Sequence, residues 1–83
     1  MIIDVRDKDE FENGHIEDSV NISLNDIMNG VLPDCEKDEN IILCCISGGR
    51  SSRAKNTLES AGFTNVENGG GICDLKAKGF KMC

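Results

Sequence analysis

Apolar residues fall along this chain in short bursts separated by charged or glycine-bearing stretches, and the spacing inside each burst predicts its element. Ile2, Ile3 and Val5 make a β-branched run that predicts a short buried strand over Met1–Val5. Asp7 with Glu10 three residues on reads as a capping box, Phe11 anchors the short helix that follows, and Gly14 stops it. A second strand is expected over Ser19–Ile22. Ser23 then caps a helix carrying Leu24, Ile27 and Met28, closed by Gly30 and followed by Pro33. After an acidic connection, Ile41 to Cys45 is uninterrupted in apolar character and has strand length, which predicts a central strand. Ala54, Leu58 and Ala61 recur at helical spacing between Arg50 and Ala61, with Gly62 as the stop. A short strand over Thr64–Glu67, a turn at the glycines 69–71 and a last helix over Ile72–Lys78 complete the series. Strands alternating with helices predict an α/β layer fold with a mostly parallel sheet.

Composition narrows the functional classes. The chain has 83 residues, room for one domain over 1–83. With three Phe and neither Trp nor Tyr, its core must come from aliphatic side chains. A net charge of −6 argues against nucleic acid or an anionic membrane as the main partner. The N-terminus lacks the basic and apolar regions of a signal peptide, and no apolar run reaches membrane-span length, so a cytoplasmic location is expected. The cysteines are five, an odd number, and Cys35, Cys44, Cys45, Cys73 and Cys83 contain no C-x-x-C pair. Reduced thiols are therefore expected rather than a disulfide framework or a metal site.

Sites in parallel α/β sheets form where strand ends meet helix starts, and the junction that carries a nucleophile is Cys45-Ile46-Ser47-Gly48-Gly49-Arg50. Glycines there let backbone N–H groups converge, and the helix start adds unpaired donors and a positive dipole end. Such a cradle lowers the pKa of a thiol held in it and attracts oxyanions. The residues alone leave a second reading open, in which Cys45 is a buried strand cysteine and the glycines only turn the chain.

The stretches Ile3-Asp4-Val5-Arg6, Glu10-Phe11, Gly14-His15-Ile16, Asn21-Ile22, Cys45 to Ser51, Ala61-Gly62-Phe63 and Gly70-Gly71 resemble, in order and spacing, the rhodanese domain. The resemblance runs from about Ile2 to Leu75 and is closest to small single-domain thiosulfate sulfurtransferases of the phage-shock-protein-E type. It implies a three-layer fold with about five short, mostly parallel strands between helices. It also implies that Cys45 is the catalytic cysteine, taking sulfur from a thiosulfate-type donor as a persulfide and passing it to a thiol or cyanide acceptor. Ile46, Ser47, Gly48, Gly49 and Arg50 match the substrate-binding loop. No cofactor or metal is implied, and the chain is expected to act as a monomer, with a sulfur-relay protein as a further partner. A persulfide carrier serving a partner protein is the alternative.

Several residues carry a second reading. Arg50 binds the anion or ties to a carboxylate such as Asp4. Asp4 and Arg6 read as a structural ion pair, His15 as hydrogen-bonded packing, and Arg53 as an exposed charge. Counted from Cys44 the loop is Cys-X5-Arg, the phosphatase and arsenate-reductase spacing; counted from Cys45 it is Cys-X4-Arg. Cys45 is preferred because the loop matches the sulfurtransferase pattern in sequence as well as length. Strand alternation should then turn Cys44 to the opposite face.

Overall fold

The computed structural model describes residues 1–46 and 49–82. Its elements run β1 (Ile2–Asp4), α1 (Lys8–Glu12), β2 (Val20–Asn21), α2 (Leu24–Met28), β3 (Ile41–Cys45), α3 (Gly49–Ser60), β4 (Val66–Gly71) and α4 (Ile72–Ala77). The strands form one sheet in the order β2-β1-β3-β4, with every neighbouring pair parallel. This is the α/β layer fold expected from the alternation of elements, and Ile41–Cys45 lies inside the sheet, as its unbroken apolar run requires. Four strands are present among the described residues, against the five implied by the family resemblance. The four correspond to the four strands predicted from the apolar pattern.

Strand alternation divides the core into two layers. Ile41, Leu43 and Cys45 of β3, with Ile3 and Val5, pack against Ile27 of α2 and Ala54 and Leu58 of α3. Cys44, Ile16, Ile72 and Leu75 form a smaller cluster on the other face, flanked by Ile2, Ile42 and Phe80. Helices therefore cover both faces, and Cys44 and Cys45 point to opposite sides.

The expected caps are in place. The Asp7 N–H donates to Glu10 Oε1 at 3.2 Å, and Ser23 Oγ accepts from the Asp26 N–H at 3.2 Å. Gly62, at φ +102°, ends α3 in a Schellman arrangement: the Phe63 N–H donates to the Leu58 carbonyl and the Gly62 N–H to that of Glu59.

One element differs from expectation. The glycines 69–71, read as a turn, belong to β4, which extends to Gly71 through a bulge where the register jumps from Leu43↔Asn68 to Cys45↔Gly71. The reason is close packing. A Cβ at Gly69 would stand 2.8 Å from Ile42 Cγ2, and one at Gly71 would run into the Ile46 carbonyl oxygen. Glycine lets β4 lie directly against the end of β3 and the residue that opens the loop.

Candidate active site

The C-terminal edge of the sheet gathers the ends of β1 and β3 and the start of α3. Cys45 is the last residue of β3 and is fully buried, with Gly71 beside it in the sheet. Ile46, immediately after it, is 61% exposed. Ser47 and Gly48, expected to form the middle of the anion cradle, lie outside the described residues. Gly49 opens α3, one residue earlier than the apolar spacing suggested, so only residues 46–48 separate the strand from the twelve-residue helix.

The start of α3 is chemically unlike that of its neighbours. The first turns of α1, α2 and α4 carry acidic residues: Asp9 and Glu10, Asp26, and Asp74. That of α3 carries no acid and holds Arg50 instead. Acidic side chains offset the positive end of a helix dipole. In a chain of net charge −6, this twelve-residue helix has no acid of its own in the first turn.

Arg50 Nη1 donates to Glu10 Oε1 at 2.8 Å and Nη2 to Oε2 at 3.1 Å, a two-pronged pair joining α3 to α1. Both side chains are about one-third exposed. The hydrogen bonds from Arg50 hold the Glu10 carboxyl down at about 2. The same carboxylate raises the pKa of Arg50, to which negative charge at Cys45 also contributes. Arg50 is thus tied to a carboxylate, but to Glu10 rather than Asp4, while remaining within the electrostatic reach of Cys45.

Asp4 is occupied by Arg6. Arg6 Nε lies 3.0 Å from both carboxylate oxygens, and Nη2 donates to Oδ2 at 2.7 Å and to the Gly14 carbonyl at 2.6 Å. The pair is buried and clamps the segment before β2 onto the end of β1, the structural role expected of it. Asn21 Nδ2 adds donations to the Asp4 and Arg6 carbonyls at 3.1 and 2.9 Å. His15 donates from Nδ1 to the Phe11 carbonyl at 2.9 Å and stacks on the Phe11 ring at 3.9 Å, which is packing. Arg53 is exposed.

Cys44 faces away from this edge. Burial, with the nearby Asp4 charge adding to it, pushes its thiol up to about 12. It is a neutral packing group at any ordinary pH. Among the described residues no three His, Cys, Asp or Glu side chains gather as a metal site. A cleft of about 500 Å³ opens beside α1, with Asp7, Phe11, Glu12, Ser23 and Asp26 in its walls. Two features of the site escaped sequence reasoning. Glu10 had a visible local role as a capping residue, which hid its partnership 40 positions away with Arg50. Ser51 lies fully buried in the first turn of α3, where only the burial of its helical neighbours Ala54 and Leu58 on the same face could have pointed to it.

Known proteins with this sequence pattern and fold agree with one another. Residues 1–72 match the rhodanese-like domain. Thiosulfate sulfurtransferase PspE from Escherichia coli is 34% identical over 83 residues, spanning 93% of this chain and 78% of that protein. Protein HIGH ARSENIC CONTENT 1, mitochondrial, from Arabidopsis thaliana is 38% identical over 80 residues, spanning 83% of this chain but 47% of its own length. Among solved structures, the rhodanese-like domain of the Alr3790 protein from Anabaena superposes with a TM-score of 0.88 at 31% identity, covering 100% of this chain and 97% of that one. No described helix is long and apolar enough to cross a membrane. In sequence over most of its length and in fold over all of it, the chain belongs to the rhodanese-like domain family.

Proposed function

We propose that the protein is a sulfurtransferase that carries sulfane sulfur on Cys45. The observation that carries this reading is the junction at the end of β3: a buried cysteine closing the strand and, from Gly49, a twelve-residue helix whose first turn has an arginine and no acid. A thiolate is the attacking species in sulfur exchange, and backbone donors with a positive helix end favour it. The Cys45 thiolate attacks the outer sulfur of thiosulfate, forming one sulfur–sulfur bond and breaking another. Sulfite leaves with the bonding electron pair, and the cysteine becomes an anionic persulfide. Cyanide or a thiolate then takes the outer sulfur and regenerates the Cys45 thiolate, so no electron or proton is left unaccounted for.

Ile46, Ser47, Gly48, Gly49 and Arg50 bind the donor in this reading, with Arg50 exchanging Glu10 for the anionic sulfur donor. Likeness to the E. coli thiosulfate sulfurtransferase supports a thiosulfate-type substrate. A thiol that must stay reduced suits a cytoplasmic setting. The alternative loop counted from Cys44 finds no support, because that thiol is buried on the opposite face and held neutral.

The test is the intact mass after incubation with thiosulfate. A gain of one sulfur atom, removable by a reductant and mapping to Cys45, is expected, and Cys45→Ser should lose both the gain and thiocyanate formation while keeping its fold. Full activity in Cys45→Ser would end the assignment. Sulfur accepted at Cys45 without turnover on thiosulfate would move the protein from enzyme to persulfide carrier.

A further inference from the structure

Buried hydroxyls almost always have a hydrogen-bond partner, because an unpaired one costs stability. Among the described residues two side chains break this rule: Ser19 Oγ and Ser51 Oγ are buried and make no hydrogen bond. Their positions differ. Ser19 immediately precedes β2, at the N-terminal edge of the sheet. Ser51 is the third residue of α3, directly after Arg50, at the C-terminal edge where Cys45 ends β3.

Helical spacing fixes which way Ser51 looks. Residues 51, 54 and 58 share one face of α3, and all three are fully buried. Ala54 and Leu58 pack in the same cluster as Cys45, so Ser51 opens the row that faces β3, at the end of the helix nearest the thiol. Its hydroxyl makes no hydrogen bond. A persulfide extends the side chain by one sulfur–sulfur bond, about 2 Å, and moves the negative charge onto the outer atom.

We infer that the Ser51 hydroxyl is a reserved donor for the outer, anionic sulfur of the Cys45 persulfide, a group absent until the donor has reacted. The inference rests on the proposed role of Cys45 and adds to it a residue whose hydroxyl contributes nothing to the fold at rest. An interaction made only after sulfur arrives lowers the energy of the sulfur-bearing state without tightening the ground state. Because the acceptor is charged, the bond is of the strong kind.

The experiment compares the parent with Ser51→Ala and Ser19→Ala in three measurements: the rate of sulfur loading from thiosulfate, the lifetime of the persulfide by intact mass, and the melting temperature. Ser51→Ala should load sulfur about tenfold to a hundredfold more slowly, the range for losing a hydrogen bond to a charged group. Its persulfide should also decay faster. Its melting temperature should equal or exceed that of the parent, since a buried unpaired hydroxyl has been removed. Ser19→Ala should show a similar thermal effect with parental loading. A structural role would move the other way, with Ser51→Ala melting lower or failing to fold, and that result would overturn the inference. Parental loading and lifetime in Ser51→Ala would overturn it too, leaving the role of Cys45 intact. If the parent itself takes up no sulfur at Cys45, the sulfurtransferase reading falls and takes this one with it.

Discussion

Arg50 answers to two demands, and its chemistry separates them. As a partner of Glu10 it is one half of a partly exposed ion pair, and such pairs contribute at most about 1 kcal/mol to stability. As a charge near Cys45 it favours the thiolate and an anionic donor. Arg50→Ala should therefore melt close to the parent, yet require several-fold more thiosulfate and alkylate Cys45 more slowly at mildly acid pH. Unchanged kinetics would leave Arg50 with Glu10 alone. The pair also has a pH signature. Glu10 is held down at about 2 in the folded state against 4.5 ordinarily, so its contribution is present above about pH 4.5 and is lost as the pH falls toward 2. Arg50→Ala should flatten acid unfolding in that window. Local sequence shows Glu10 as a cap and Arg50 as a loop residue; their bond joins positions 40 residues apart that only the fold brings together. The Asp4 and Arg6 pair was legible because its members are two positions apart on one strand end.

At the scale of elements, the alternation of apolar bursts was enough to order β1 through α4, and the period of two along Ile41–Cys45 was enough to send Cys44 and Cys45 to opposite layers. The length of β4 was not legible, because three consecutive glycines read locally as a turn. Tertiary packing overrides that preference: the strand needs residues without a Cβ to lie flush on β3 and Ile46. Gly71 has an ordinary extended backbone, φ −84° and ψ 162°, so a substitution there acts through contact alone. Gly71→Ala should cost about 1–3 kcal/mol, as overpacking does, and should reduce sulfur transfer by pushing on the residue next to Cys45. Gly30 offers the contrast. It sits at φ +97°, and a Cβ there would meet nothing within 4 Å, so Gly30→Ala should cost about 1 kcal/mol through backbone strain and leave transfer unchanged. Denaturant melts with activity assays on both variants separate the two mechanisms; an active Gly71→Ala would mean that β4 does not set the position of Ile46.

Across the whole molecule, the two core layers are unequal in size and in chemistry. The larger layer ends in the thiol proposed to react, while the smaller one encloses Cys44, whose proton the fold holds up to about 12 against 9.0 ordinarily. A raised pKa stabilises the fold fully below about pH 9, where the unfolded thiol is also neutral. That contribution is lost as the pH climbs toward 12, because the unfolded chain gives up the proton and the native core does not. Burial likewise raises the Cys35 thiol, which adds to the same slope. Self-repulsion in a chain of net charge −6 grows over the same range, but it is common to any variant of equal charge. Cys44→Ala isolates the buried thiol. The variant should lose about 1 kcal/mol near neutrality from the packing of the sulfur, and its stability should fall less steeply than the parent's between pH 9 and 12. In the native parent at pH 8, an alkylating reagent should label exposed Cys73 and leave Cys44 untouched until denaturant is added. Rapid labelling of Cys44 in the folded protein, or identical alkaline slopes for parent and Cys44→Ala, would mean that the small layer is open to solvent and does not keep its thiol neutral.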